Sequence, residues 1–148
     1  MGKEVSFTYD IFIGASAGNV WKGLTDGEIT KDYVYGTRFE SKLKKGDPYA
    51  YLGDGDFKVV EGQVLEVEKG SRLVLSWKAN YDDAVAKENP SRVAFELTSS
   101  GPSMTKLTLV HDGFKDDSAG YAGSKEGWPL MLSSLKSILE TGRSLEVK

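Results

Sequence analysis

His111 is the only histidine in the chain, and histidine is the side chain whose ordinary pKa lets it move protons near neutral pH. Strand alternation puts it on one face with Leu107 and Leu109, at a strand end beside Asp112. Two roles suit that position. The imidazole can serve a bound molecule as acid or base, or it can be a structural group hydrogen-bonded at a sheet edge. No motif sets a nucleophile or a second acid next to it. Glu61, Glu66, Glu96 and Glu126 can form an acid/base pair only if two of them share a cavity. The period of two sends Glu66 and Glu96 to a wet face. Glu126 stands just ahead of a helical pattern, beside Trp128. There it either faces a pocket mouth or favours the positive end of the helix dipole.

Other chemistries lack their parts. Asp54-Gly55-Asp56 offers oxygen ligands but not the rest of a calcium loop, so a hairpin turn is expected. Ser16, Ser91 and Ser118 lack the glycine frame of a nucleophile elbow. Gly14, Gly18 and Gly23 do not form a phosphate-binding loop. With one histidine and no cysteine, no metal centre, disulfide or thiol chemistry is expected. No cofactor is expected either.

The element that must organise whatever site exists lies near the end of the sequence. From Gly127 to Gly142, Trp128, Met131, Leu132, Leu135, Ile138 and Leu139 recur at spacings of three and four, one face of an amphipathic helix. Pro129 suits its first turn and Gly142 its left-handed cap. Ahead of it, Phe7, Tyr9, Ile11 and Ile13 alternate as a first strand. Ser16 can cap one short helix, and Thr25 or Asp26 a second through about Ile29 to Val34. From Thr37 to His111 about six strands follow in series. Their apolar sets include Tyr49 and Tyr51; Val60, Gly62 and Val64, then Leu65 and Val67; Leu73, Leu75 and Trp77; and Val93, Phe95 and Leu97. The change of phase near Val64 or Leu65 predicts a bulge. Asn80 to Pro90 reads as a polar loop, and Asp112 to Glu126 as a Gly-, Ser- and Asp-rich lead into the helix. Hairpins in sequence make an antiparallel sheet with one dry face. Bulges and glycines would curve that face around the helix.

The 148 residues suit a single domain spanning 1–148. A formal net charge of -3 without a basic stripe argues against nucleic-acid binding. No run reaches the ~20 apolar residues of a membrane span, and Met1 to Phe7 contains no apolar signal core. A soluble, cytoplasmic protein without membrane insertion is expected.

Five segments in register resemble the activator of Hsp90 ATPase homologue 1-like (AHSA1-like) family of the START/Bet v 1-like superfamily. They are Val20-Trp21-Lys22-Gly23-Leu24-Thr25-Asp26, Gly62 to Val67, Leu73 to Trp77, Pro90 to Leu97 and Thr105 to Phe114. Gly127-Trp128, Leu135-Lys136 and Leu139-Glu140-Thr141-Gly142 complete the pattern. The resemblance implies an α+β helix-grip fold: about seven curved antiparallel strands around a C-terminal helix, with two short helices after the first strand. It also implies a cavity between sheet and helix for an apolar or amphipathic small molecule such as a lipid or polyketide. Phe39, Tyr51, Phe57, Trp77, Phe95, Trp128, Met131 and Leu135 would line it, with His111 as a polar contact. Two alternatives come with the family: an accessory of Hsp90-type chaperones, or an enzyme using His111 as acid or base. The eukaryotic co-chaperone carries a second domain for gripping Hsp90. These 148 residues leave no room for one, so Hsp90 activation is not expected to carry over. A monomer, or a weak homodimer through an exposed edge strand, is expected.

Overall fold

The computed structural model describes residues 3–145. β1 (Glu4–Ile13) is followed by α1 (Ala17–Thr25) and α2 (Gly27–Thr30). Then come β2 (Arg38–Ser41), β3 (Pro48–Leu52), β4 (Lys58–Glu68), β5 (Arg72–Ala79), α3 (Asp83–Ala86), β6 (Ser91–Gly101), β7 (Met104–Lys115) and α4 (Ala119–Thr141). The strands form one seven-stranded sheet in the order β1-β7-β6-β5-β4-β3-β2, with every pairing antiparallel. Only the return of β1 beside β7 departs from a simple meander. This is the expected α+β helix-grip architecture.

Local chemistry accounts for the turns. Ser16 caps α1 by accepting from Asn19 N at 3.2 Å, and Asp26 caps α2 by accepting from Glu28 N at 2.9 Å. α2 ends at Thr30, and hydrogen-bonded turns carry the chain on to Val34, whose N–H donates to Thr30 O at 2.7 Å. The Thr30 hydroxyl bridges Thr37 O and Phe39 N. Gly55, with φ of 65°, turns the chain between β3 and β4. The bulge falls between Val64 and Glu66. It leaves Val60 and Val64 buried but turns Leu65 outward, against the expected inward set, since the extra residue is spent at Leu65 itself. Nearby, a Cβ on Gly62 would meet Ser76 O at 2.3 Å. Only glycine lets β4 lie this close to β5, and Tyr49, paired opposite Gly62, donates its phenol to Ser76 O at 2.6 Å.

Two expectations need correction. The polar stretch after Asn80 contains α3, capped by Asp82 accepting from Ala84 N at 2.7 Å. The long helix begins at Ala119, so Pro129 lies inside it and Glu126 lies well past its first turn. Tertiary capping outweighs the poor helix propensity of this glycine-rich opening. Ser118 accepts from Tyr121 N at 3.0 Å. The Glu88 carboxylate, far off in sequence, accepts from Ala119 N at 2.9 Å and Gly120 N at 3.1 Å, placing a negative charge at the positive end of the helix. Gly142, at φ of 82°, closes the far end as expected.

Candidate functional site

The two halves of α4 meet the sheet differently. In the C-terminal half, Leu132 and Leu135 are fully buried among Leu107, Leu109 and Ile13. A Cβ on Gly23 would come within 2.7 Å of Leu135 Cδ1, so α1 is also pressed onto this region. Glu140 accepts from Gly14 N and from Lys136 Nζ, each at 2.6 Å. Lys136 also donates to Phe12 O at 2.8 Å. These contacts, above all the Lys136 hydrogen bond, hold the Glu140 carboxyl below the usual carboxylate range.

Under the N-terminal half the helix stands away from the sheet and leaves a cavity of about 400 Å³, within the usual range for small-molecule sites. Trp77 of β5, Trp128 and Met131 of α4, and Val60 of β4 wall it. Gly123 and Gly127 of α4 give it a bare-backbone side. Tyr35 and Tyr81 stand at its edge. They are 67 % and 55 % exposed. Its polar lining consists of hydroxyls, such as those of Thr37 and Ser124, and among the described residues no charged side chain lines it.

His111 lies behind this wall, not in it. Trp128 Nε1 donates to His111 Nδ1 at 3.0 Å. The acceptor role puts the imidazole proton on Nε2, which faces Ser91 Oγ at 2.8 Å. Ser91 passes the donor role on to Trp77 O at 3.5 Å. Phe114 lies 4.2 Å away, centroid to centroid, with Phe7 and Trp77 each at 5.7 Å. Burial pulls the His111 pKa down from 6.5 to about 3. The residue is mid-strand, not at a strand end, because β7 runs on to Lys115. Both ring nitrogens are engaged in holding Trp128 and Ser91.

Of the expected lining residues, Trp77, Trp128 and Met131 reach the cavity. Phe39 and Tyr51 form the next layer, with ring centroids 5.2 Å apart, and Tyr51 lies 5.5 Å from Trp77. Burial raises the Tyr51 pKa, so its phenol is neutral. Phe95 meets Trp128 edge-on at 5.6 Å. Leu135 belongs to the closed half. Phe57 is displaced outright: it is 55 % exposed. It ends the 3-10 turn over Asp54–Asp56 before β4 begins, so strand alternation does not direct it inward. Residue patterning missed Tyr35, Tyr81, Gly123 and Gly127. The two tyrosines lie in connections without periodicity. The one-turn spacing of Gly123 and Gly127 is the available signal, but Gly123 falls in the Gly-, Ser- and Asp-rich lead and Gly127 at the start of the apolar helical pattern.

The family model for activator of Hsp90 ATPase homolog 1-like proteins matches residues 14–140. No curated protein matches the chain. Among solved structures, protein MLL2253 of Mesorhizobium loti is 25% identical with a TM-score of 0.76, covering 92% of this chain and 97% of that one. PFC0360w, an HSP90 activator from Plasmodium falciparum, is 21% identical with a TM-score of 0.75, covering 90% and 95%. DynU16, from the dynemicin biosynthetic locus, is 24% identical with a TM-score of 0.75, covering 94% of this chain and 48% of that one. Among the described residues no helix is long and apolar enough to cross a membrane. A family match over most of the length, joined to a curved sheet gripping a C-terminal helix, makes this chain a member of the activator of Hsp90 ATPase homologue 1-like family.

Proposed function

We propose that the chain binds one apolar or amphipathic small molecule in the cavity between the N-terminal half of α4 and the sheet. The observation that carries this reading is the cavity of about 400 Å³ walled by Trp77, Trp128 and Met131. A close-packed domain has few voids larger than a water molecule. Burial drives binding: each ~100 Å² of apolar ligand surface removed from water contributes about 2.5 kcal/mol before ordering costs. Indole faces and a flexible thioether suit apolar matter of varied shape. The hydroxyls of Thr37 and Ser124 supply orientation without charge.

On this reading His111 is a positioning residue. Its hydrogen bond fixes the indole of Trp128, and the low pKa keeps it an acceptor at neutral pH. Acid/base duty would require it to give up Trp128 or Ser91 first.

Native mass spectrometry of the protein purified from its own host should reveal a co-purified small molecule. The uncharged fluorophore N-phenyl-1-naphthylamine should bind the emptied protein saturably, one per chain. It should lose binding in Val60→Trp, whose indole fills the cavity, while circular dichroism stays native. A wild-type protein that carries no adduct and gives no saturable binding refutes the reading.

A further inference from the structure

The glycines of α4 do not all have the same reason to be there. At Gly120 packing demands one: a Cβ would lie 2.6 Å from Glu88 Oε1 and 3.3 Å from Phe114 Cε1. Gly123 and Gly127 are under no such constraint. A Cβ on Gly123 would have Tyr81 Oη as its nearest neighbour, at 3.5 Å. One on Gly127 would meet Tyr35 Oη at 3.8 Å and Met131 Cε at 3.9 Å. These are ordinary contact distances, so alanine would fit at both sites and would favour the helix. What the two glycines share is a tyrosine phenol resting over bare backbone, one helical turn apart, at the edge of the cavity.

Both tyrosines are unusual in how they are held. Tyr35 has φ of 49° and is followed by Gly36 at φ of 76°. A bulky side chain in the left-handed region is a steric outlier, and strain of this kind gathers at ligand clamps. Tyr81 sits on the connection between β5 and β6. That connection is tied down by Lys78, whose ammonium donates to Ala86 O and, at 3.3 Å, to Glu88 O. Glu88 in turn caps α4. Partial burial, then the negative charges of Asp82 and Glu88 and the nearby Tyr35, raise the Tyr81 pKa and keep its phenol neutral.

We propose that Tyr35 and Tyr81 are the two jaws of the chamber. Their rings settle onto the glycine pair of α4 to close the mouth and lift from it to admit or release the bound molecule. They set how fast a ligand leaves and how bulky its protruding end can be. This rests on the reading of the cavity as a binding chamber.

Tyr35→Ala and Tyr81→Ala, with the Phe variants as controls, test the jaws in the full chain. Both side chains are largely exposed, so the variants should fold, which circular dichroism checks. Two readouts are needed: stopped-flow release of N-phenyl-1-naphthylamine, and acrylamide quenching of tryptophan fluorescence without any ligand. Each Ala variant should release the probe about 2- to 10-fold faster, the range given by the strength of an aromatic contact. Each should also quench more steeply, as Trp77 and Trp128 become accessible. The Phe variants, which keep the ring but lose the Oη that meets the glycines, should fall between wild type and Ala. Unchanged release and unchanged quenching in both Ala variants, with the probe still bound, overturn the jaws and leave the chamber standing. A wild-type protein that never binds the probe overturns the chamber and the jaws together.

Discussion

One helix does two jobs in this molecule. Its C-terminal half, from Pro129 to Thr141, lies on Leu107, Leu109 and Ile13 and is tied at its end to Gly14 and Phe12. Its N-terminal half, from Ala119 to Trp128, carries only Tyr121 and Trp128 as large side chains with apolar bodies, and lines the cavity. The closed half supplies stability; the open half exchanges it for space. The open half is kept in place by polar anchors at its two ends, the Glu88 cap and the His111–Trp128 hydrogen bond, and by aromatic contacts of Tyr121 with Phe7 and Phe114 and of Trp128 with Trp77 and Phe95.

The contrast breaks or sharpens with four measurements, starting with the largest effect. Leu135→Ala in the closed half should lower unfolding stability by about 2–5 kcal/mol, read by urea denaturation. Met131→Ala, facing space that already exists, should cost less than about 1.5 kcal/mol because fewer contacts are lost. Met131 lies just past Pro129 but faces the cavity, so equal losses at the two positions would abolish the distinction between packed core and cavity wall.

Next comes pH. Folded His111 has its pKa pulled from 6.5 to about 3, so the unfolded chain takes up a proton between those values and the folded chain does not. Stability therefore rises with pH across that window and falls on acidification, by up to about 1.4 kcal/mol per pH unit from this group. Denaturation at pH 4.5 and 7.5 should show a smaller difference in His111→Gln than in wild type. The same difference in both proteins would mean that the imidazole is protonated in place.

Third, the glycines of the open half should divide. Gly123→Ala and Gly127→Ala should each raise stability by about 0.8–1 kcal/mol, the helix-propensity difference. Gly120→Ala should lower it, because its Cβ must displace the Glu88 carboxylate. Thermal melts rank the three. The smallest effect is the charge of the Glu88 cap. Glu88→Gln also loses one of the two accepting oxygens, and only the charge contribution, about 0.3–1 kcal/mol, should shrink with added salt.

How far these features could be read in the sequence depended on what produced them. The sheet was legible because burial of one face imposes a period of two, visible at Leu73, Leu75, Trp77 and again at Val93, Phe95, Leu97, all buried. The closed half of α4 was legible for the corresponding helical reason. The open half was not, because its helix is stabilised by Glu88, thirty-one residues before Ala119 in the chain, and no local pattern announces a distant cap. The cavity wall was half legible. Trp77 and Trp128 advertise themselves, but an apolar period cannot say which side of a core is empty. Phe57 was misplaced for the converse reason: a turn residue next to a strand mimics the strand's alternation. His111 stands out in the sequence, but its partners do not, since Trp128 and Ser91 reach it from separate elements.

Pro129 marks the border between the two halves. Proline has no N–H to offer the Lys125 carbonyl one turn earlier and crowds it as well, so the hydrogen-bond ladder of α4 lacks a rung at the point where packing gives way to space. A rod weakened at one spot bends there first. If α4 flexes, Pro129 is where it would do so, and the headroom above Trp77 would follow the angle between the two parts of the helix. On the proposed reading of the cavity, guests of different thickness would be met by flexure at Pro129, with no need to repack the interior.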